Sequence, residues 1–245
     1  MVLSCLNLFL RKSYPIRGGQ GLILLITLIL LSGNGLSGQV IRTGPFLPYQ
    51  PGDTLQYQLL NAPADAPFAE VHFALHDFRG SQTLKSEDKT GFFRLESHSP
   101  AGWTWYLIHQ SDGTEVLPDK PLLVLPADSE KGQTYTVSQP CTFLKNGQKT
   151  GRGRITVAFT VDGIDSARMP FRNFEDCLTL TQQFKLERGS IVAQQYEEKM
   201  WFAEGIGLVK GVRQIPGHKG GKPTRIPYQL AGGNIGGKPL DGRRP

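Results

Sequence analysis

The chain has 245 residues, 39% of them hydrophobic, with 27 basic against 21 acidic side chains and a formal net charge of +6 at pH 7. A chain of this length holds one large domain or two small ones. The positive balance does not describe a basic body: Arg11, Lys12 and Arg17 carry three of the charges, and from Lys210 onward eight basic residues face only Asp241, so the stretch between is mildly acidic at −4. Nucleic-acid binding asks for a basic face with interleaved aromatics on a folded body, so no nucleic-acid partner is expected.

The first element is a leader. Arg11, Lys12 and Arg17 precede the apolar run "LILLITLILL" (Leu22 to Leu31), which is followed by the small-residue stretch "SGNGLSG". Charged, apolar and small-residue regions in that order are the anatomy of a secretory signal. Spanning a bilayer takes about 20 apolar residues, roughly twice this run. Residues 1–38 are therefore expected to be a signal peptide, with the mature protein exported to the periplasm or beyond. No cysteine follows the apolar run, which excludes lipid attachment there. Removal of the leader takes Cys5 and leaves Cys141 and Cys177. In an oxidising compartment these two form a candidate disulfide; two separate buried thiols are the alternative.

From Phe46 to about Ile215 strand follows strand. "TLQYQLL" alternates after the turn "QPGD". "AEVHFALHDF" puts Val71, Phe73 and Leu75 on one side and His72 and His76 on the other. "GFFRLES", "WTWYLIHQ", "LLVLP" and "GQTYTVSQ" come next, with one helical turn expected at "DSEKG". In "RITVAFTV" Ile155, Val157, Phe159 and Val161 face one way and Arg154, Thr156, Ala158 and Thr160 the other, and "CLTLTQQFKL" repeats the pattern with Gln182 as its exception. A strict period of two marks a sheet buried on one side. Asn146-Gly147, Asp162-Gly163, Arg188-Gly189 and Glu204-Gly205 supply the dipeptides that tight hairpin turns demand. The expected body, residues 39–215, is thus all-β and antiparallel, a strongly curved sheet of half-barrel or barrel-like form. The 36 residues from Lys210 on contain nine glycines and five prolines. Such a composition buries little apolar surface against its ordering entropy, so residues 216–245 are expected to be a flexible basic tail with one edge strand at "RIPYQLAG".

"WFAEGIGLVKG" (Trp201 to Gly211) tests for a phosphate cradle. A cradle needs a glycine-rich turn opening a helix, and here strand-like "LVKGVRQI" follows, with neither G-x-G-x-x-G nor Gly-Lys-Ser/Thr. Gly205 and Gly207 are turn glycines in this reading. Gly205 takes positive φ, and Gly207 lets Trp201 or Phe202 cross a strand without obstruction.

Three blocks carry a resemblance: "FLPYQPGDTLQYQL", "FRNFEDCLTL" and "WFAEGIGLVK". In that order they are similar to the blocks F-P-L-x-x-G-x-x-W-x-Y, G-x-F-x-x-C-L-x-(apolar) and (aromatic)-A-x-G-(V/I)-G-L-V-K of a group of exported bacterial β-rich proteins with no assigned activity. The chain departs from the pattern at Leu55, where tryptophan is preferred, and lacks the glycine two residues before Phe174. The resemblance covers roughly Phe46 to Gly211. It implies an envelope-located β-domain similar to the half-barrel of lipoprotein carriers, and it brings no catalytic residue.

The remaining residues hold little chemistry at recognisable spacing. His72 and His76 are about 13 Å apart along a strand, too far for one metal, and His98, His109 and His218 have no Cys or His at ligand spacing. No metal and no cofactor is expected. G-x-S-x-G is absent. Asp77, Glu96, Asp112 and Glu115 make a catalytic carboxylate pair only if folding brings two of them together. The aromatic residues Trp103, Trp105, Phe73, Phe159 and Trp201 form a candidate ligand-binding set for an apolar molecule or lipid, with ordinary core packing as the alternative. The leading expectation is an exported, non-enzymatic β-domain binding an apolar ligand in the envelope. Its rivals are an extracytoplasmic hydrolase with a carboxylate pair and a surface protein whose basic tail contacts anionic envelope components.

Overall fold

Alternating side chains make the strands, and closure of the sheet makes the domain. A computed structural model describes residues 39–60, 69–169, 172–217 and 221–240; the expected leader lies outside the described residues. Residues from Gly38 onward form one compact unit. The strands are β1 (Val40–Arg42), β2 (Thr54–Leu59), β3 (Ala69–Phe78), β4 (Ser81–Asp88), β5 (Phe93–Ser99), β6 (Gly102–His109), β7 (Thr114–Pro118), β8 (Leu122–Pro126) and β9 (Asp128–Glu130). After them come β10 (Thr134–Lys145), β11 (Gln148–Arg168), β12 (Asn173–Arg188), β13 (Ile191–Ala203), β14 (Gly207–Ile215), β15 (Thr224–Ile235) and β16 (Lys238–Leu240).

Twelve strands pair in the order β14-β13-β12-β11-β10-β7-β6-β5-β4-β3-β2-β15, and β15 returns to β14, so the sheet closes on itself as an antiparallel barrel. Closure removes the two open edges that a half-barrel would expose. β8 pairs with β6, β16 extends from β15, and β1 pairs with β9 in a separate two-stranded sheet.

The expected tail is corrected here. Thr224–Ile235 is not an edge strand: Lys210↔Gln229 and neighbouring pairs join it to β14, while Leu230↔Tyr57 and neighbouring pairs join it to β2. The ladder on both sides supplies what its composition lacks. Two smaller expectations also change. Asp162-Gly163 is no hairpin turn; it lies inside the 21-residue β11 at a register shift, with Gly163 at φ 121°, the mark of a bulge. "DSEKG" forms β9 and a turn in place of a helical turn.

The disulfide is corrected as well: both cysteines are free and buried. Cys141 on β10 sits opposite Gly153, and Gly153 opposite Arg188, whereas Cys177 lies eleven residues further along β12. At about 3.3 Å per residue the thiols are on the order of 35 Å apart, far beyond bridging distance. Burial pushes both thiols up to about 11.

The buried apolar side chains gather in two clusters. The larger gathers Trp103 and Trp105 of β6 with Phe159, Leu180, Met200 and Phe202 from β11 to β13. Rings from these walls meet across the interior, Trp103 to Phe159 at 5.4 Å and to Phe202 at 6.4 Å. The smaller includes Leu55, Tyr57, Phe73, Phe174, Cys177, Val209 and Leu230. Among the described residues no helix is long and apolar enough to cross a membrane.

Candidate functional site

One end of the barrel is capped by the segment before β2. Thr43 ties it to β8 and the residue beyond: its N–H donates to the Ala127 carbonyl at 2.8 Å and its hydroxyl to the Pro126 carbonyl at 3.1 Å. A short 3-10 turn follows at Gly44–Phe46, started by Pro45, whose ring already fixes a helical φ. Its carbonyl accepts the Gly205 N–H at 2.9 Å, which joins the cap to the β13–β14 turn. Asp53, 2% exposed, ends the segment by accepting the N–H groups of Gln50 at 2.8 Å and Gly236 at 2.7 Å.

Tyr49 is the keystone of this cap. Its ring stacks on Phe73 at 4.4 Å, and its hydroxyl accepts the Leu208 N–H at 2.7 Å. Burial, above all, raises its ionisation, so it stays a neutral phenol. The ring occupies the space over Gly207, which holds φ +94°; a Cβ there would fall inside the Tyr49 ring. The expected crossing at Gly207 is therefore made by Tyr49, not by Trp201 or Phe202. Gly205, at φ 70°, takes the turn position expected of it.

Between the cap and the β5–β6 hairpin lies a cleft of about 390 Å³, lined from the cap by Thr43, Gly44 and Leu47 to Gln50 and from the hairpin by His98, Pro100 and Trp103. His98 links cap to wall by donating from Nδ1 to the Leu47 carbonyl at 2.9 Å. Behind it a charged pair is built into the interior. Arg94, Glu96 and His98 share one face of β5. Arg94 Nε donates to Glu96 at 2.6 Å, the Trp103 indole N–H donates to the same oxygen at 3.0 Å, and His98 Nε2 stands 3.7 Å from the other oxygen. The Arg94 guanidinium also lies 5.0 Å from the Trp103 ring and 4.3 Å from that of Trp105. Burial alone would raise the Glu96 carboxyl, but Arg94 and His98 together hold it down to about 2. Glu96 is a fixed anion that orients Trp103 and His98, and thereby the cleft floor.

A second buried carboxylate, Glu198 on β13, accepts Arg213 Nη2 at 3.0 Å and the Tyr228 hydroxyl at 2.8 Å. Arg213 covers the Tyr196 ring at 4.6 Å. Burial would lower the Arg213 guanidinium, but Glu198 more than reverses this and raises it. Tyr228 in turn lies across Gly211, where a Cβ would overlap its ring.

The nominated aromatic residues divide three ways. Trp103, Trp105 and Phe159 come together in the core, with only Trp103 also bordering the cleft. Phe73 supports the cleft from behind Tyr49. Trp201 joins neither the Trp103 cluster nor the cleft: it is half-buried against the smaller apolar cluster, with Lys199 and Lys210 over its ring. The carboxylates considered for catalysis are dispersed. Asp77 accepts the Gly80 N–H at its hairpin, Asp112 accepts from Thr114, Glu115 faces His109, and Glu96 is held by Arg94. Among the described residues no group of three or more His, Cys, Asp or Glu side chains gathers as a metal site.

Tyr49, Leu47 and His98 were not nominated by pattern, because their partners lie about fifty residues or more away: Leu47 and His98 meet each other, and Tyr49 meets Leu208. The signal that was present is the resemblance of blocks. "FLPYQPGD" and "WFAEGIGLVK" meet at this end through the Pro45–Gly205 and Tyr49–Leu208 hydrogen bonds.

No protein-family model matches the chain, and no curated protein sequence matches it. Among solved structures it is similar to the hypothetical lipoprotein YmcC from Escherichia coli (K12), at 10% identity over 87% of this chain and 97% of that one, with a TM-score of 0.36. A likeness at that level carries no argument about function.

Proposed function

We propose that this protein is an exported, non-enzymatic binding module of the cell envelope that takes an apolar group in the cleft at the capped end of its barrel. The observation that carries this reading is the cleft, where Leu47, Pro48, Tyr49, Pro100 and Trp103 border a space of about 390 Å³. An apolar surround with a few fixed polar groups is the usual composition of a small-molecule site, and His98, Gln50 and Thr43 supply the polar groups here. The leader-like segment supports export. The non-enzymatic reading is supported by the carboxylates: Glu96 and Glu198 are each held as the anionic half of an ion pair with arginine, which suits a scaffold better than a proton-transfer pair.

Gly44 provides the test. Gly44 lines the cleft, and a Cβ at this position meets nothing within 4 Å, so Gly44→Phe adds bulk at the cleft without a clash at its first carbon. Wild-type protein should bind the apolar fluorophore N-phenylnaphthylamine saturably, and Gly44→Phe should weaken that binding at least about tenfold, a loss of about 1.4 kcal/mol, with an unchanged melting temperature. Equal affinity in the two proteins would remove the cleft as the site.

A further inference from the structure

The outer wall of the barrel carries a feature that the cleft does not explain. Read through the strand registers, one row crosses it as Gly163, Thr179, Trp201, Lys210, Gln229 and Gln58. Trp201 is half-buried, and two ammonium groups bracket its ring, Lys199 Nζ at 5.4 Å and Lys210 Nζ at 5.2 Å from the centroid. The alkyl chain of Lys131 lies over Gly163 at the end of the row. Between them Thr179 is 2% exposed, and its hydroxyl has no hydrogen-bond partner among the described residues. Two ammonium groups thus flank one indole, and the stem of a third lysine closes the end of the row. Asp162 lies 3.7 Å from Lys199, and Lys131 and Lys210 make no salt bridge among the described residues.

Another cation–aromatic pair on the protein shows what is unusual here. Lys85 sits 4.4 Å from the Phe93 ring, but Glu87 neutralises it at 2.7 Å. At Trp201 the Lys210 ammonium makes no salt bridge among the described residues. Tryptophan at a membrane–water boundary places its apolar body toward acyl chains and its N–H toward headgroups, while lysines extend their stems along apolar surface and keep their charge at the phosphate level. Lysines close to an anionic leaflet each add roughly fivefold to binding.

We propose that the Trp201–Lys199–Lys210 face is a docking surface for an anionic phospholipid membrane, with the Lys199 and Lys210 ammonium groups at the level of the lipid phosphates. This surface lies on the barrel's outside and does not depend on the cleft reading. The test uses the chain from Gly38 on, the compact unit with its own closed sheet and core, because the apolar leader would itself enter lipid. Vesicles of phosphatidylcholine alone and vesicles with one quarter phosphatidylglycerol are sedimented with the protein at low and high salt. Binding is expected to the anionic vesicles only, to fall with salt, and to drop by more than about tenfold in Lys199→Gln/Lys210→Gln. Lys85→Gln should bind as wild type does, and Gly44→Phe should also leave vesicle binding unchanged, which separates the two sites. Equal binding to both vesicle types, or full binding by the double variant at an unchanged melting temperature, would overturn the proposal. Protection of Lys210 from acylation by soluble glycerol phosphate, without vesicle binding, would reassign the face to a free phosphate and overturn it as well.

Discussion

Strands β12 and β15 hold equivalent places in the barrel, each hydrogen-bonded to a neighbour on both sides, yet they are built on different terms. β12 turns Leu178, Leu180, Phe184 and Leu186 inward, all 3% exposed or less, and its sequence alone announces a half-buried strand. β15 reads "TRIPYQLAGGNI" and fully buries one large apolar side chain, Leu230, with Tyr228 and Ile235 half-buried beside it. Its place is fixed by its neighbours: Gly211 leaves room for the Tyr228 ring, Glu198 takes the Tyr228 hydroxyl, and β14 and β2 take its backbone. A strand of the first kind carries its own burial. One of the second kind exists only because a gap in a closed sheet has the right width and the right partners.

The difference can be broken outright. Deleting residues 224–245 leaves the ladders of β14 and β2 unpaired, and the expected outcome is loss of the cooperative thermal transition together with aggregation, seen by circular dichroism and sedimentation. Leu180→Ala attacks the self-sufficient strand; as Leu180 is fully buried, denaturant titration should show a loss of about 2–5 kcal/mol.

Acid probes a third region, the Arg94–Glu96 pair behind the cleft. Against the cost of burial, Arg94 and His98 hold the folded-state carboxyl down to about 2, below the ordinary glutamate value. Its stabilisation is therefore complete above the unfolded value and is lost as pH falls from about 5 toward 2, a contribution on the order of 3 kcal/mol for this buried side chain. Stability measured across that range should fall more steeply in wild type than in Glu96→Gln. The smallest effect belongs to Tyr228→Phe, which keeps the ring over Gly211 and removes only the 2.8 Å bond to Glu198. About 1.5 kcal/mol should be lost, and a loss in β15 larger than in β12 upon this change would show how much that one hydroxyl seats the strand.

The same contrast explains what was legible in the sequence. "RITVAFTV" and "CLTLTQQFKL" could be read because period-two burial is written locally. Gln182, the exception in that pattern, is explained by the structure: it faces inward beside Glu198 and donates to the Tyr196 hydroxyl at 3.4 Å. β15 was misread because its order comes from cross-strand partners and not from its own side chains. Cys141 and Cys177 were paired on compartment chemistry, whereas strand register holds them far apart. The cleft was half legible. Trp103 stood out by type, but Leu47, Tyr49 and His98 become neighbours only when a segment before β2 caps the barrel, and no spacing in the chain encodes that.

Backbone hydrogen exchange in β15 tests the closed barrel most directly. The amides of residues 226–230, among them Ile226 and Tyr228 to Leu230, should be protected to the same order as those of Leu178 to Phe184 in β12, because both strands open only when the barrel does. Exchange of the β15 amides within seconds, beside full protection in β12, would contradict the account and return residues 224–235 to a flexible tail.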